Sequence, residues 1–169
     1  AEPVSILHPS VTGGDNTGLL ALHSLSKTSN MASYRAGTVS GDEDLVQELL
    51  EVRKHAGLIV PGPIQAAMVA ALGDDLHEEM QRSVYAMRRL ELMKALPEAG
   101  FTVDDSDAGL YLWCRREAMS SRETLDWLAQ RGILAAPGDF YGPKGAHHVR
   151  IALTASDEHI AEAAKRLVS

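Results

Sequence analysis

The sequence is poor in the features that hold small secreted proteins together or anchor proteins in membranes. It has one cysteine, Cys114, which excludes an internal disulfide and a zinc site built on several thiolates. Cys114 follows the apolar run 109–113, which favours a buried, inert thiol. No apolar run is long enough to cross a membrane, and no stretch has the charged-then-apolar pattern of a signal segment. We therefore expect a cytoplasmic location.

Positive charge is also scarce, and it is dispersed. Lysine and arginine together number 16 against 23 acidic residues, which gives a formal charge of -7. No run of Lys and Arg is longer than a pair, and the pairs at 88–89 and 115–116 are isolated. A protein that binds a phosphate backbone needs a concentrated positive field, so nucleic acid is not an expected partner. Hydrophobic residues make up 45% of the chain, which is enough for a packed core.

Strand-like and helix-like patterns alternate along the chain, which predicts an α/β fold. The apolar run GLLALH at 18–23 is typical of a strand covered on both faces. Strands are also predicted at 34–40, 101–103, 110–114, 133–136 and 148–153, and helices at 43–55, 64–72, 75–96, 123–130 and 156–168. The long helix carries an apolar stripe that we interpret as core packing, formed by Leu76, Met80, Val84, Met87, Leu90 and Met93.

The pattern also predicts a division of the chain into parts. The helix at 75–96 is expected to link two domains, with a small α/β domain at 97–169 and the end of another at 1–74. The chain opens Ala1-Glu2-Pro3 without an initiator methionine. We therefore expect it to be a portion of a longer protein.

The stretch that carries chemistry lies at 23–37 and reads HSLSKTSNMASYRAG. Lys27 follows a predicted buried strand and stands among hydroxyl residues. A lysine that forms an imine must be neutral to attack, so it needs partial burial or a nearby cation. Ser24 and Ser26 offer hydroxyls and Arg35 offers a fork-shaped cation, a set that suits a phosphate dianion. A lysine beside a phosphate site fits the cofactor pyridoxal phosphate (PLP) better than most other ligands.

Three other interpretations apply to the same residues. Lys27 could be a solvated lysine in a polar connection. Ser24 and Lys27 satisfy the Ser-x-x-Lys spacing of penicillin-recognising enzymes, but Ser24 closes a predicted strand and no Lys-Thr-Gly strand follows. A nucleotide phosphate loop is excluded because no Gly-x-x-x-x-Gly precedes Lys27. Elsewhere, His147 and His148 are adjacent, point to opposite faces if they lie on a strand, and are interpreted as structural; no metal site is expected.

The lysine segment resembles the signature of class I/II aminotransferases of PLP fold type I. The resemblance rests on SLSK at 24–27 and YRAG at 34–37, with Arg35 eight positions after Lys27. Further segments resemble the family in the same order, namely VPGPIQ at 60–65, DAGLYLW at 107–113, APGDFYG at 136–142 and VRIAL at 149–153.

The resemblance implies a role for each candidate residue. Lys27 forms the Schiff base with PLP and later moves the proton of the substrate α-carbon. Ser24, Ser26 and Arg35 hold the phosphate, and Arg150 binds the substrate α-carboxylate as a bidentate pair. Taken alone, Arg150 also fits a surface arginine at the end of an edge strand.

The resemblance also implies a fold and a reaction. The fold is the C-terminal part of PLP fold type I, in which 1–74 ends the large PLP-binding domain. The reaction moves an amino group from a donor such as glutamate to a 2-oxo acid, and the family is usually homodimeric. Other fold-type-I enzymes share the lysine segment, among them C–S lyases and acyl-CoA condensing enzymes. A non-catalytic regulatory domain fused to a DNA-binding module is a further alternative.

The chain departs from the family pattern in two ways. Ser33 stands where the family usually has a glycine, which tolerates positive φ or close approach better than serine. The family's ring-stacking aromatic residue and the Asp that pairs with the pyridine nitrogen lie upstream of the lysine and cannot be placed here. We therefore expect this portion alone to be inactive.

A narrower resemblance concerns the substrate. The segments LHPSVTGGD at 7–15 and GLL at 18–20 resemble actinobacterial succinyldiaminopimelate aminotransferases of lysine biosynthesis. The expected amino acceptor is then N-succinyl-2-amino-6-oxopimelate.

Overall fold

The computed structural model describes residues 4–57 and 59–169, and the chain separates into two compact units. We call them the N-unit, which ends at Glu79, and the C-unit, which begins at Met80. The division between 1–74, 75–96 and 97–169 stays a prediction. Within the described residues, no helix combines the length and the apolar character needed to cross a membrane.

The N-unit joins one antiparallel strand pair to short and medium helices. Its elements are α1 (Pro9–Thr12), β1 (Leu20–Ser24), α2 (Leu25–Thr28), β2 (Gly37–Gly41), α3 (Glu43–Ala56) and α4 (Gly62–Leu72). Strand β2 starts three residues later than predicted, because Ala32–Tyr34 form a 3₁₀ turn first. The register pairs Ser24 with Gly37. A Cβ at Gly37 would lie 2.6 Å from the carbonyl oxygen of His23, so glycine is needed for the strands to approach there.

The prediction that the first strand is covered on both faces is not met by the described residues. Strand β1 is half-buried at its first two positions and exposed at the next three, and Leu22 is 79% exposed. A continuous apolar run indicates that partners should cover both faces. It does not say that those partners belong to the same stretch of chain.

Helix α5 (Leu76–Glu98) confirms the predicted long helix, but the interpretation of its methionine stripe as core packing was wrong. Met80 and Met87 are exposed, the latter by 74%, and Leu76 and Leu90 are also exposed. The helix places a different apolar face in the core of the C-unit, formed by Leu92, Ala95 and Leu96. Periodicity shows that a helix has an apolar face, but not where the partner of that face comes from.

The C-unit is built on a four-stranded antiparallel sheet of order β3-β4-β6-β5. Its elements after α5 are β3 (Phe101–Asp104), β4 (Tyr111–Arg116), α6 (Ser121–Ala129), β5 (Ala136–Pro137), β6 (His148–Ala152) and α7 (Asp157–Leu167). Both helices begin at serine caps. Ser120 and Glu123 form a complete capping box, and the Ser156 hydroxyl accepts from the backbone N–H of His159.

The strand predicted at 133–136 is reduced to the two residues of β5, and the prediction was wrong for its first three positions. The backbone N–H of Ile133 donates to the carbonyl of Leu128, so it belongs to the cap that closes α6. Gly132 takes the left-handed φ of 68° that this cap requires. Leu134 is 94% exposed. An N–H used by a helix cap cannot join a strand ladder.

Alternating residues of the central strands fill the core of the C-unit. Leu112 and Cys114 of β4 and Val149 and Ile151 of β6 are buried, and they pack with residues of α5, α6 and α7. The face with Tyr111, Trp113, His148 and Arg150 is left half-buried or exposed. The sheet therefore has an apolar inner face and a polar, aromatic outer face.

Truncating a side chain of this inner face is expected to cost much more stability than truncating an exposed leucine. Leu112 is fully buried, so Leu112→Ala should lower the free energy of unfolding by about 2–5 kcal/mol. The matched change Leu134→Ala should alter it by less than about 0.5 kcal/mol. Denaturant unfolding of both variants measures the difference, and equal losses would show that Leu112 is not in the core.

Candidate functional site

Ser24 ends β1 and also caps the short helix that carries Lys27. The Ser24 hydroxyl accepts from the backbone N–H of Ser26 at 3.2 Å and donates to the Ser26 hydroxyl at 3.0 Å. Lys27 follows one helical turn after Ser24, and its side chain is exposed. The structure thus brings three of the predicted site residues onto one turn.

A small core fixes this turn from beneath. Leu25, Met31 and Ala36 are buried and form a cluster with Met68 of α4. Ser24, Lys27 and Arg35, which neighbour these residues in the chain, are exposed. The apolar residues of the segment therefore anchor it, and these polar residues stay exposed.

Arg35 holds an unusual backbone conformation that the sequence did not reveal. Its φ of 54° and ψ of 43° are left-handed, a region that non-glycine residues seldom occupy. One guanidinium nitrogen donates to the carbonyl of Ala32 at 2.9 Å. No acidic side chain in the described part of the chain pairs with it. The cation is held in place without being neutralised.

Ser33 does not need the conformation that glycine would permit. It lies inside the 3₁₀ turn Ala32–Tyr34, is exposed, and is not among the residues of positive φ. The left-handed positions of this segment are Asn30 and Arg35 instead. The departure from the family pattern at Ser33 therefore costs little locally.

The surroundings of Lys27 differ in two ways from those expected from the sequence. An imine-forming Lys27 was expected to have partial burial or a nearby cation, but the residue is exposed and no ion pair of the described residues involves its amine. The Ser-x-x-Lys alternative was rejected partly because Ser24 closes a strand, yet Ser24 also begins a helix. The absence of a following Lys-Thr-Gly strand still argues against that alternative.

His77 was assigned no function from sequence, but the structure places it beside the lysine helix. Its Nε2 is 3.0 Å from the hydroxyl of Ser29, which ends that helix, and its Nδ1 is 3.2 Å from a carboxylate oxygen of Asp74. The other Asp74 oxygen accepts from the N–H of Leu76. We infer that these contacts join the end of α2 to the start of α5. Ser29 and His77 are 48 residues apart, so no local sequence pattern could show their contact.

A groove of about 490 Å³ runs between β2, α3 and α4 of the N-unit. Arg35 lines it, but Ser24, Ser26 and Lys27 do not. Its walls are largely apolar, with Val39, Leu49 and Met68 among them. The groove therefore receives Arg35 but not the two serines or the lysine of the turn.

Arg150 lies on a central strand and not on an edge, so the alternative interpretation of it as an edge-strand arginine was wrong. It is paired with Trp113 of β4 on one side and with Ala136 of β5 on the other. Its guanidinium carbon lies 4.0 Å from the ring centre of Tyr111 and 5.4 Å from that of Tyr141. Its Nε is buried and has no hydrogen-bond partner. An arginine held between aromatic rings with an unpaired donor can still bind an anion.

The two adjacent histidines contact different groups. The Nδ1 of His147 is 3.1 Å from the carbonyl of Met119, and the Nε2 of His148 is 2.7 Å from a carboxylate oxygen of Asp104. They do not converge on one ligand position. Across residues 4–57 and 59–169, no group of three or more His, Cys, Asp or Glu side chains could hold a metal ion.

Cys114 is fully buried on the inner face of the sheet. Burial, with a smaller contribution from the charge of Asp104, raises the pKa of its thiol to about 12. The neutral thiol therefore favours the folded state below the ordinary thiol pKa, and this contribution is lost as the pH rises from there toward 12.

A thiol reagent is expected to leave Cys114 unmodified in the folded protein at pH 8. A pKa raised by three units lowers the thiolate fraction about a thousandfold, and burial blocks access as well. Iodoacetamide labelling followed by mass spectrometry should show no adduct until denaturant is added. Labelling of the native protein at the rate of a free thiol would place Cys114 on the surface.

Residues 1–167 match the sequence family described as Aminotransferase class I and II. This chain belongs to that family. Members of the family depend on PLP, and the prediction of a class I/II aminotransferase family is confirmed.

Two relatives resemble this aminotransferase chain over almost all of its length. The "Probable aminotransferase Rv1178" of Mycobacterium tuberculosis is 66% identical over 167 residues, which cover 99% of this chain and 40% of the relative. The 4-dedimethylamino-4-oxo-anhydrotetracycline transaminase OxyQ of Streptomyces rimosus is 58% identical over 166 residues, which cover 98% of this chain and 46% of that protein. The chain thus spans less than half the length of these relatives.

Solved aminotransferase structures share the fold of this chain. An aminotransferase from Neisseria meningitidis superposes with a TM-score of 0.88 at 30% identity, covering 99% of this chain and 44% of that one. A probable N-succinyldiaminopimelate aminotransferase from Thermus thermophilus gives a TM-score of 0.79 at 32% identity, covering 95% of this chain and 44% of that one. The predicted α/β fold, the C-terminal part of PLP fold type I, is confirmed.

Proposed function

We propose that the intact protein is a PLP-dependent aminotransferase in which Lys27 carries the cofactor. The observation behind this proposal is the turn formed by Ser24, Ser26 and Lys27, followed by the un-neutralised guanidinium of Arg35. The relatives and solved structures described above, which are similar to this chain, are named aminotransferases or transaminases.

The residues of this turn fit the chemistry of the cofactor. A phosphate dianion needs hydroxyl donors and a cation, which Ser24, Ser26 and Arg35 offer. An amine that is to bind the cofactor must be available, and Lys27 is exposed and forms no ion pair among the described residues. We therefore assign Lys27 to the Schiff base and the two serines and Arg35 to the phosphate.

Each of these residues would have a separate role in the reaction. PLP, when bound, withdraws electrons from the substrate α-carbon. Lys27 Nζ holds and moves the proton of that carbon, acting as general base and then as general acid. Arg150 binds the α-carboxylate through two parallel N–H groups and so orients the amino acid.

Analysis of the products tests this proposal directly. The intact protein with PLP, an amino acid donor and a 2-oxo acid should yield the keto acid of the donor and the amino acid of the acceptor. Release of pyruvate, ammonia and a thiol would identify a C–S lyase instead, and formation of a condensed ketone an acyl-CoA condensing enzyme. Absence of all three reactions in a cofactor-loaded protein would favour a regulatory domain.

We propose further that the amino acceptor is N-succinyl-2-amino-6-oxopimelate, a 2-oxo acid of lysine biosynthesis. The segments at 7–15 and 18–20 and the Thermus thermophilus enzyme support this substrate. The name of the relative OxyQ indicates a different acceptor for that protein, a 4-oxo-anhydrotetracycline. Comparing kcat/KM for the two acceptors decides between them. A clear preference for the tetracycline ketone would overturn the assignment to lysine biosynthesis.

The assembly and location of the intact protein stay predictions. The family usually forms homodimers, which sedimentation analysis of the full-length protein would detect. A cytoplasmic location was expected from the sequence, and cell fractionation would test it.

A further inference from the structure

One row of side chains crosses the outer face of the C-unit sheet. Asp104 of β3 is paired with Trp113 of β4, and Trp113 is paired in turn with Arg150 of β6. His148 lies two residues before Arg150 on the same face, opposite Arg115. Direct cross-strand pairs on one face are close enough for their side chains to touch.

The aromatic side chains of this face contact one another, each touching the next. The imidazole of His148 stacks on the indole of Trp113, with ring centres 5.0 Å apart and planes 7° from parallel. Trp113 meets the ring of Tyr141 edge to face at 5.6 Å. Tyr141, with Tyr111, flanks the guanidinium of Arg150. The contacts thus run from His148 through two rings to Arg150.

Asp104 contacts His148, at the other end of this series of contacts. Its carboxylate is 2.7 Å from His148 Nε2, and its second oxygen is 3.6 Å from Arg115 Nε. The side chain of His148 is only 14% exposed, and its Nδ1 is buried without a partner. With one ring nitrogen bonded to Asp104 and one face covered by Trp113, the imidazole has a single orientation.

We propose that Asp104, His148 and Trp113 are positioning residues that hold Arg150 ready for a carboxylate. This inference rests on the proposed role of Arg150. The Arg150 Nε has no hydrogen bond, so the rings beside it are what restrict the side chain. A long flexible side chain loses rotamer entropy when it is ordered by a ligand. A guanidinium already ordered by its neighbours loses less on binding, which favours the complex.

The contacts also indicate why Trp113 is central to this arrangement. Tyr141 is more than half exposed and lies in a 3₁₀ turn, and its ring meets Trp113 and the guanidinium of Arg150. Trp113 touches both Tyr141 and His148. Removing the indole would leave Tyr141 free to move and would uncouple Arg150 from the pair formed by His148 and Asp104.

Steady-state kinetics of the full-length, PLP-loaded protein test the proposal. Trp113→Leu is expected to raise KM for an amino acid substrate about tenfold, with kcat within about twofold of its original value. His148→Gln, which keeps a donor for Asp104 but loses the stacked ring, should raise KM about threefold. Trp113→Phe keeps an aromatic ring at this position and should restore most of the affinity.

Two controls separate positioning from general destabilisation. Trp127→Leu removes the other tryptophan of the C-unit, which contacts Arg131 and Phe101 and not Arg150, and it should leave KM unchanged. A simple alkylamine without a carboxylate should react with the PLP-loaded Trp113→Leu variant as fast as with the original protein. The change in cofactor absorbance measures this rate. Cofactor affinity, measured by titration, should be equal in all variants.

Each outcome points to one conclusion. If Trp113→Leu leaves KM unchanged, or slows the carboxylate substrate and the alkylamine equally, the positioning role is wrong while the role of Arg150 stands. If Arg150→Ala itself leaves KM for the amino acid unchanged, the proposed function of Arg150 fails and the positioning role falls with it. Should Trp113→Leu not fold, His148→Gln replaces it, and an unchanged KM in that variant would equally refute the positioning role.

Discussion

Replacing Lys27 by alanine in the intact protein is expected to abolish amino transfer, lowering kcat by about 10⁴-fold or more. The amine is needed twice, to carry the cofactor and to move the α-proton, and no other lysine lies on the turn with Ser24 and Ser26. Lys27→Arg should be equally inactive, because a guanidinium stays protonated and cannot take up the proton.

Borohydride reduction followed by peptide mass mapping gives a chemical measure of the same residue. The unmodified protein should carry a phosphopyridoxyl group on the peptide that contains Lys27, and Lys27→Ala should carry none there. Lys54→Ala is the matched control, since Lys54 is an exposed lysine of the N-unit that pairs with Glu51. Full activity of Lys27→Ala, or an adduct on a different lysine of the original protein, would refute the assignment.

Replacing Arg150 by alanine is expected to lower kcat/KM for amino acid substrates by about 10²–10³-fold. Two charge-assisted hydrogen bonds to the carboxylate are lost, and most of the effect should appear in KM. Arg150→Lys keeps the charge but offers a point cation in place of a planar fork, so it should recover only part of the affinity. A substrate analogue that lacks the carboxylate should react equally with all three proteins.

Arg131 is a close control for this experiment. It too lies over an aromatic ring, with its guanidinium carbon 3.6 Å from the centre of Trp127, and its Nε is also buried without a partner. It also donates to the carbonyl of Trp127, which assigns it to the packing of α6. Arg131→Ala should reduce stability and leave KM alone. A loss of kcat/KM in Arg131→Ala equal to that in Arg150→Ala would show that both arginines act through stability.

The parts of the site that could be predicted from sequence are those in which neighbouring residues act together. Lys27, Ser24 and Ser26 are neighbours in the chain, so their grouping could be predicted from sequence, and the resemblance to the family implied their roles. The start of the last predicted helix at 156 agrees with the structure, in which Ser156 caps that helix through a contact between residues close in the chain.

The parts that could not be predicted depend on residues distant in sequence. His148 and Asp104 are 44 residues apart, and His77 and Ser29 are 48 apart. Tyr111 and Tyr141 lay in segments that resembled the family, but nothing in those segments indicated that both would flank Arg150. Such contacts are decided by strand register and by which helix face enters the core.

The sequence by itself determined the family and the order of the longer strands and helices, because periodicity and local hydrogen bonding act over a few residues. Only the tertiary structure decided that Arg150 lies on a central strand between two tyrosines, and that α5 buries Leu92 and Leu96 in place of its methionine stripe. Strand pairing and core packing join distant segments. The free energy of those contacts depends on both segments, so neither segment alone predicts it.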